Sequence, residues 1–172
     1  MASDVLIAVG SNIDPEINIP KALDLLNKRC PIFAVSTFYR SKAIEREDQP
    51  DFLNGACRCT GAWPPRELKY GVLRPIEAEL GRVRTEDAHA AREIDLDIGL
   101  MGDCIVEDSD LSVPDPDIEK RAFLAVPFAE LAPDAILPTT GRKLSDLAAV
   151  FDEYDLHTDS EFSDFLRIRF SK

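Results

Sequence analysis

The stretch Arg92-Glu-Ile-Asp-Leu-Asp-Ile-Gly-Leu100 constrains the fold more than any other part of the chain, because apolar and polar residues alternate there with the period of a β-strand. Ile94, Leu96 and Ile98 take one face and read as core, while Asp95 and Asp97 share the other. From the rise per residue in a strand, the two carboxylates stand roughly 7 Å apart. Like charges at that spacing repel one another unless water or a cation relieves them. A wet sheet face meets that condition with water alone, and a metal or phosphate site meets it with cations. The pattern by itself allows both.

This strand is the last of a series. Residues 4–10 alternate and are rich in β-formers, Gly10-Ser11-Asn12 breaks the pattern, and 15–29 carries Ile19, Ala22, Leu23 and Leu26 at helical spacing. Residues 32–39 and 52–60 read as two further strands, separated by a charged, Pro-containing loop (41–50) too long for a tight hairpin. Pro64-Pro65 opens a helix that runs to Leu80 and stops at Gly81, following the preference for Pro near the start and Gly past the end. With 82–92 as a loop, strand 94–101 completes the order β-α-β-β-α-β, the split arrangement of a ferredoxin-like α+β sandwich. A polar turn at Gly102-Asp103, a Pro-rich connection through Val113-Pro-Asp-Pro116 and a short helix around 125–131 follow. The C-terminal additions begin at about residue 141 as a variable tail. It combines an amphipathic stretch (Leu144, Leu147, Ala148, Phe151), an acidic run and a β-like end at Phe165-Leu-Arg-Ile-Arg-Phe170, read as packing or edge-strand material.

At 172 residues and 45% hydrophobic, the chain suffices for a single domain (1–172) with a well-buried core. Its apolar runs, such as 5–9 and 122–127, fall far below the run of about 20 residues that a membrane helix needs. The start of the chain lacks the basic flank of a signal peptide, so a cytoplasmic protein that engages no membrane is expected. Cys30, Cys57, Cys59 and Cys104 form no C-x2-C pair and read as reduced, mostly buried thiols. A net charge of −12 disfavours nucleic acid as a partner. An anionic small ligand would need locally gathered arginines. Arg82, Arg84 and Arg92 bracket a segment that runs straight into Asp95 and Asp97, a juxtaposition that suits a metal-bound phosphate ester.

Several separated segments point the same way: Gly10-Ser11-Asn12, Asp48-Gln-Pro-Asp-Phe-Leu-Asn54, Gly81-Arg-Val-Arg84, Arg92-x-x-Asp95-Leu-Asp97-Ile98, Arg121-Ala-Phe123 and Pro127-Phe-Ala-Glu-Leu-Ala-Pro133. Together, over roughly residues 5 to 140, they resemble the 6-hydroxymethyl-7,8-dihydropterin pyrophosphokinase family of folate biosynthesis. The resemblance implies a ferredoxin-like fold and an enzyme that transfers the β,γ-diphosphate of ATP to the pterin's hydroxymethyl group, releasing AMP. It implies that Asp95 and Asp97 hold two magnesium ions, and that Arg82 and Arg92 act with them in catalysis. Glu77, Arg84, Arg92, Ile98, Ser112 and Arg121 fall on the ATP side; Ile98 would pack on the adenine or belong to the core. Asn54 would read the pterin's polar edge between Phe52 and Phe123, and Ser41, Lys42 and Ile44 would complete that pocket. ATP and a dihydropterin are the implied partners, bound by a monomer.

The resemblance also has gaps. Where the family's loop usually reads R-W-G-P-R-T, this chain has Ala88-His-Ala-Ala-Arg-Glu93, so Ala88, His89 and Glu93 replace an arginine, a tryptophan and a threonine. Lys42 stands where a proline is usual, and Asp115 where a histidine is common. Two alternatives follow: a divergent relative with another phosphate donor or pterin, and a catalytically silent pterin-binding module.

Overall fold

The computed structural model describes residues 3–43, 46–151 and 156–171. Its elements are β1 (Ser3–Ser11), α1 (Pro15–Asn27), β2 (Ile32–Val35), β3 (Tyr39–Ser41), β4 (Phe52–Gly61), α2 (Pro65–Glu67), α3 (Arg74–Glu79), β5 (Asp95–Met101), β6 (Val106–Glu107), β7 (Ser112–Val113), α4 (Ala122–Leu131), α5 (Leu144–Ala148), β8 (His157–Thr158) and α6 (Ser160–Phe170). The main sheet runs β5-β1-β4-β3-β8, with β2 also paired to β4. Both neighbours of β1 are antiparallel to it. The strands joined through α1 are therefore held apart by β4, which is the split βαβ arrangement expected of an α+β ferredoxin-like sandwich.

Both faces of the sheet are covered, which explains why β1 is apolar on both sides. Val5, Ile7 and Val9 pack toward Ile19, Leu23 and Leu26 of α1, and the same cluster takes in Leu68, Leu73, Leu166 and Phe170. Leu6, Ala56 and Leu100 pack on the opposite side with Phe128 of α4 and Leu144 and Leu147 of α5. Gly99 permits this second layer: a Cβ there would lie 2.2 Å from the Phe128 ring. Cys30, Cys57 and Cys59 are buried free thiols and Cys104 is half-buried. Among the described residues, no helix is long and apolar enough to cross a membrane.

Three elements differ from the sequence expectation. The strand expected over 32–39 breaks at 36–38, where the Ser36 hydroxyl accepts from the Ala56 amide (2.8 Å) and the Phe38 amide donates to the Ser163 hydroxyl (2.8 Å). The helix expected up to Leu80 contains a π-helical segment, Leu68–Leu73, between α2 and α3. Pro75 supplies the reason, since proline in a helix interior removes one amide donor and its ring collides with the carbonyl four residues back. The widened turn ahead of it absorbs that conflict. The C-terminal end expected as a strand is α6: Asp159 caps it by accepting from the Phe162 amide (3.1 Å), and Phe162, Leu166 and Phe170 follow at helical spacing and are buried. Phe162 meets Phe38 edge to face at 5.7 Å. The apparent alternation from Phe165 misled because Phe165 and Ile168 are exposed.

Candidate active site

One row of residues across the sheet organises the site. Gly10 at the centre pairs with Asp95 on β5 and with Asn54 on β4, and Ala8, one pleat away, pairs with Asp97 and Ala56. Two residues with little or no side chain thus separate a carboxylate pair from an amide, leaving open floor between them. The closeness is real: a Cβ on Gly10 would stand 2.4 Å from the Asn54 side-chain oxygen. The Asn54 amide nitrogen donates to the Ser41 hydroxyl on β3 (3.2 Å), which fixes which end of the amide faces the floor.

β5 is an edge strand, and its outward backbone groups are met by side chains from the neighbouring helix and loop. Glu77 of α3, only 2% exposed, accepts from the Leu96 amide (2.9 Å). Its two oxygens also hold Arg82 (2.9 Å) and Arg84 (2.6 Å). Arg82 reaches the Ile94 carbonyl (3.1 Å) and Asp95 (2.6 Å), and Arg92 holds the other Asp95 oxygen (2.7 Å). Lys69, from the π-helical segment, pairs with Asp97 and lies 3.5 Å from the Leu96 carbonyl.

The two aspartates are therefore electrostatically unlike. Desolvation would raise Asp95, but the Arg82 and Arg92 guanidiniums overcome it and hold the carboxyl down at about 2. Desolvation, then the neighbouring Asp95 charge, pushes Asp97 up to about 6 despite the Lys69 ammonium. Asp97 is the carboxylate with the greater need of a further cation. Asp115 is also raised by desolvation, although it accepts from the Asp117 amide (2.9 Å).

Three adjoining cavities meet at these carboxylates. One of about 270 Å³ is lined by Ser41, Lys42, Phe52, Asn54, Arg121 and Phe123, together with Ala88, His89, Arg92, Asp95 and Asp117. Another, of about 510 Å³, is lined by Lys69, Arg74, Arg82, Arg84 and Arg92 facing Asp95 and Asp97. A smaller space of about 180 Å³ between the strands and α4 adds Asp115 beside Gly10, Asp95 and Asp97. Asp95 lines all three. The structure thus gathers an amide-bearing pocket with two phenylalanines in its walls and a cation-rich pocket beside a carboxylate pair.

Most of the residues expected at the site converge here, with some exceptions. Glu77 is buried beneath the arginines as their anchor. Ile98 is 3% exposed in the core cluster. Ser112 sits on the β6–β7 ribbon and lines a separate depression. Ile44 lies outside the described residues. Lys69 was not singled out in the sequence, since a lysine in a helix reads as surface. Asn12 looked like part of a turn, yet it is buried, its side-chain oxygen accepts from the Arg92 amide (2.8 Å), and its own amide donates to the Arg92 carbonyl (3.2 Å). Its side chain also reaches Gln49 and the Pro50 carbonyl (both 3.3 Å), and Gln49 donates to the His89 carbonyl (3.0 Å). Asn12 thereby ties the 46–50 loop to the end of the 82–92 loop.

The family model for 7,8-dihydro-6-hydroxymethylpterin-pyrophosphokinase matches residues 6–133. The chain belongs to this family. A 2-amino-4-hydroxy-6-hydroxymethyldihydropteridine pyrophosphokinase of Pseudomonas aeruginosa is 39% identical over 87% of this chain and 92% of its own, and one of Haemophilus influenzae is 33% identical over 87% and 94%. A solved Plasmodium falciparum HPPK-DHPS superposes with a TM-score of 0.68 at 12% identity, covering 87% of this chain and 42% of that longer one, a likeness of fold. Within the family frame, the altered loop stays part of the site. Ala88 lines both large cavities and His89 lines the first, so the changes at these two positions bear directly on the pocket walls.

Proposed function

We propose that this chain transfers the β,γ-diphosphate of ATP to 6-hydroxymethyl-7,8-dihydropterin and releases AMP, as a step of folate biosynthesis. The observation that carries this reading is the position of Arg92 and Asp95, which line both the amide-bearing pocket and the cation-rich one. A reaction that joins a heterocycle to a polyphosphate needs its acceptor oxygen and its phosphorus at such a boundary.

In this reading Asn54 meets the polar edge of the pterin and Phe52 and Phe123 flank its rings, with Ser41 and Lys42 closing the pocket. Stacking on an aromatic is worth about 0.5–1.5 kcal/mol per pair beyond burial. Arg82, Arg84, Arg92 and Arg121 take the phosphate oxygens, for which guanidinium forks are suited. The pterin hydroxymethyl oxygen forms the new bond to the β-phosphorus, the bond from that phosphorus to the bridging oxygen of AMP breaks so that AMP leaves with that oxygen, and the hydroxyl proton passes to water. The chain contributes alignment and charge complementarity, the main sources of catalysis in phosphoryl transfer.

Asp95 and Asp97 are the residues that would hold two magnesium ions. Their donor chemistry fits, because magnesium binds through one or two carboxylates together with substrate phosphates and water. Among the described residues no group of three or more His, Cys, Asp or Glu forms a self-contained cage, which also favours ions that arrive with the nucleotide. Magnesium would supply neutralisation of the charge that spreads over the phosphate oxygens.

The test is AMP release from ATP with magnesium and 6-hydroxymethyl-7,8-dihydropterin, against a control without pterin. Pterin-dependent AMP is expected. Pterin binding without AMP would transfer the assignment to a divergent relative with another donor. Two variants probe the pterin side. Asn54→Ala is expected to weaken pterin binding by roughly tenfold to a hundredfold, the effect of losing a buried hydrogen-bonding partner. Gly10→Ala leaves every polar group in place but drives its methyl against the Asn54 oxygen, and a loss of about tenfold in pterin affinity is expected by calorimetry. Unchanged affinity in both would remove Asn54 from the pocket.

A further inference from the structure

Lys69, like Arg74, is a cation of the site that the family resemblance does not touch. Its side chain is only 8% exposed, and its ammonium sits on Asp97 beside the Leu96 carbonyl. A lysine is delivered there by the backbone: Lys69 lies in the π-helical segment, where the Arg74 amide donates to the Lys69 carbonyl in an i→i+5 pattern. Such widened turns are frequent at functional sites. The segment buries Leu68, Lys69, Val72 and Leu73, so Lys69 points inward from a helix face that is otherwise apolar.

The placement raises a conflict of charge. Asp97 is proposed to hold a divalent cation, yet it already carries one. The ammonium sits on Oδ1 of that carboxylate, so an ammonium and a metal ion brought to it repel one another and compete. The displaced ammonium has a destination nearby. Lys69 lines the same 510 Å³ cavity as Arg74, Arg82, Arg84 and Arg92, where Ala88 contributes no charge. The cations of that wall share the cavity with the carboxylates Asp87, Asp95, Asp97 and Asp110, and a polyphosphate bound there would give the freed ammonium an anionic partner.

We propose that Lys69 is a resident counter-ion of Asp97 which a divalent cation displaces, and which then turns to the polyphosphate in the adjoining cavity. The proposal rests on the reading of Asp97 as a metal carboxylate. Lysine suits the exchange because its point charge rides on a flexible four-carbon stem and needs no fixed geometry at either partner. In the empty site it relieves the repulsion between Asp95 and Asp97. In the loaded site it adds a cation opposite the arginine loop.

The exchange gives two effects of opposite sign when the charge is removed. In Lys69→Met, manganese binding measured by electron paramagnetic resonance without nucleotide is expected to tighten roughly tenfold, since its competitor is gone. Binding of a non-hydrolysable ATP analogue with magnesium, measured by calorimetry, is expected to weaken roughly tenfold, since a phosphate contact is gone. Lys69→Gln, which keeps a hydrogen-bonding head without the charge, should shift both in the same directions and guards against a fault of folding in the first variant. Any other combination in the two neutral variants, including no change or two changes of the same sign, overturns the proposal. Asp97→Asn separates it from the reading beneath: manganese binding left unchanged there removes Asp97 as a metal ligand, whereas manganese binding lost there without the opposed pair at Lys69 removes only the role of Lys69.

Discussion

An Asp97→Asn protein is expected to lose pterin-dependent AMP formation by about a thousandfold or more, equivalent to about 4 kcal/mol of transition-state stabilisation. The size follows from the site's charge balance. Asp95 is paired with both Arg82 and Arg92, whereas among the described residues Asp97 pairs with Lys69 and is desolvated beside a like charge. Of the two carboxylates, Asp97 has the more coordination capacity to offer, and an amide offers a metal ion far less. The fold should survive, because the asparagine oxygen still accepts from Lys69 and the β1–β5 pairing uses backbone groups only. Steady-state AMP release together with thermal unfolding is the measurement. Activity within tenfold of the native chain, at an unchanged melting temperature, would take the metal role away from Asp97.

The fold was legible in the sequence because its signals are local and repeated. Alternation marked 4–10, 52–60 and 94–101, helical spacing marked α1, and Pro and Gly punctuated the elements, so the β-α-β-β-α-β order needed no knowledge of contacts. What failed depended on distant partners. The tail from Phe165 to Phe170 alternates well enough for a strand, and only the burial of Phe162, Leu166 and Phe170 against other elements makes it a helix. The π-helical segment is set by a conflict between Pro75 and the turn before it, and spacing rules that assume one helical period do not register it.

The site divides along the same line. Asp95, Asp97, Asn54 and the arginines of the 82–92 loop were legible because motif order carries them. Lys69 was not, and Asn12 only as part of the Gly10-Ser11-Asn12 turn, since each acts through a partner far away in the chain: Lys69 through Asp97, and Asn12 through Arg92 and the 46–50 loop. A lone lysine in a helix and an asparagine after Gly-Ser have commonplace readings, and only the folded packing brings Lys69 to Asp97 and Asn12 to Arg92.

Replacing Glu77 by alanine is expected to cost about 3–5 kcal/mol of folding stability, the penalty for removing one partner of its buried ion pair with Arg82. The surface pairs of this chain give the contrast. Arg66 with Asp108 and Asp110 is half-exposed, and such pairs contribute about 0–1 kcal/mol. Glu77 differs because it is 2% exposed and serves three donors at once: Arg82, Arg84 and the edge amide of Leu96. Its loss leaves Arg82, itself only 10% exposed, with Asp95 and the Ile94 carbonyl as its remaining partners and takes the side-chain acceptor from the Leu96 amide. Glu77→Gln should cost less, because its side-chain oxygen still accepts from Leu96 while the charge on the two guanidiniums goes unbalanced. Urea unfolding of both variants, read at constant slope, measures the difference. A loss below about 1 kcal/mol for the alanine variant would place Glu77 with the surface pairs. A loss of the expected size would make Glu77 the anchor that aims the arginine loop at the cation-rich cavity, so nucleotide affinity should fall in the same order, alanine below glutamine below the native chain.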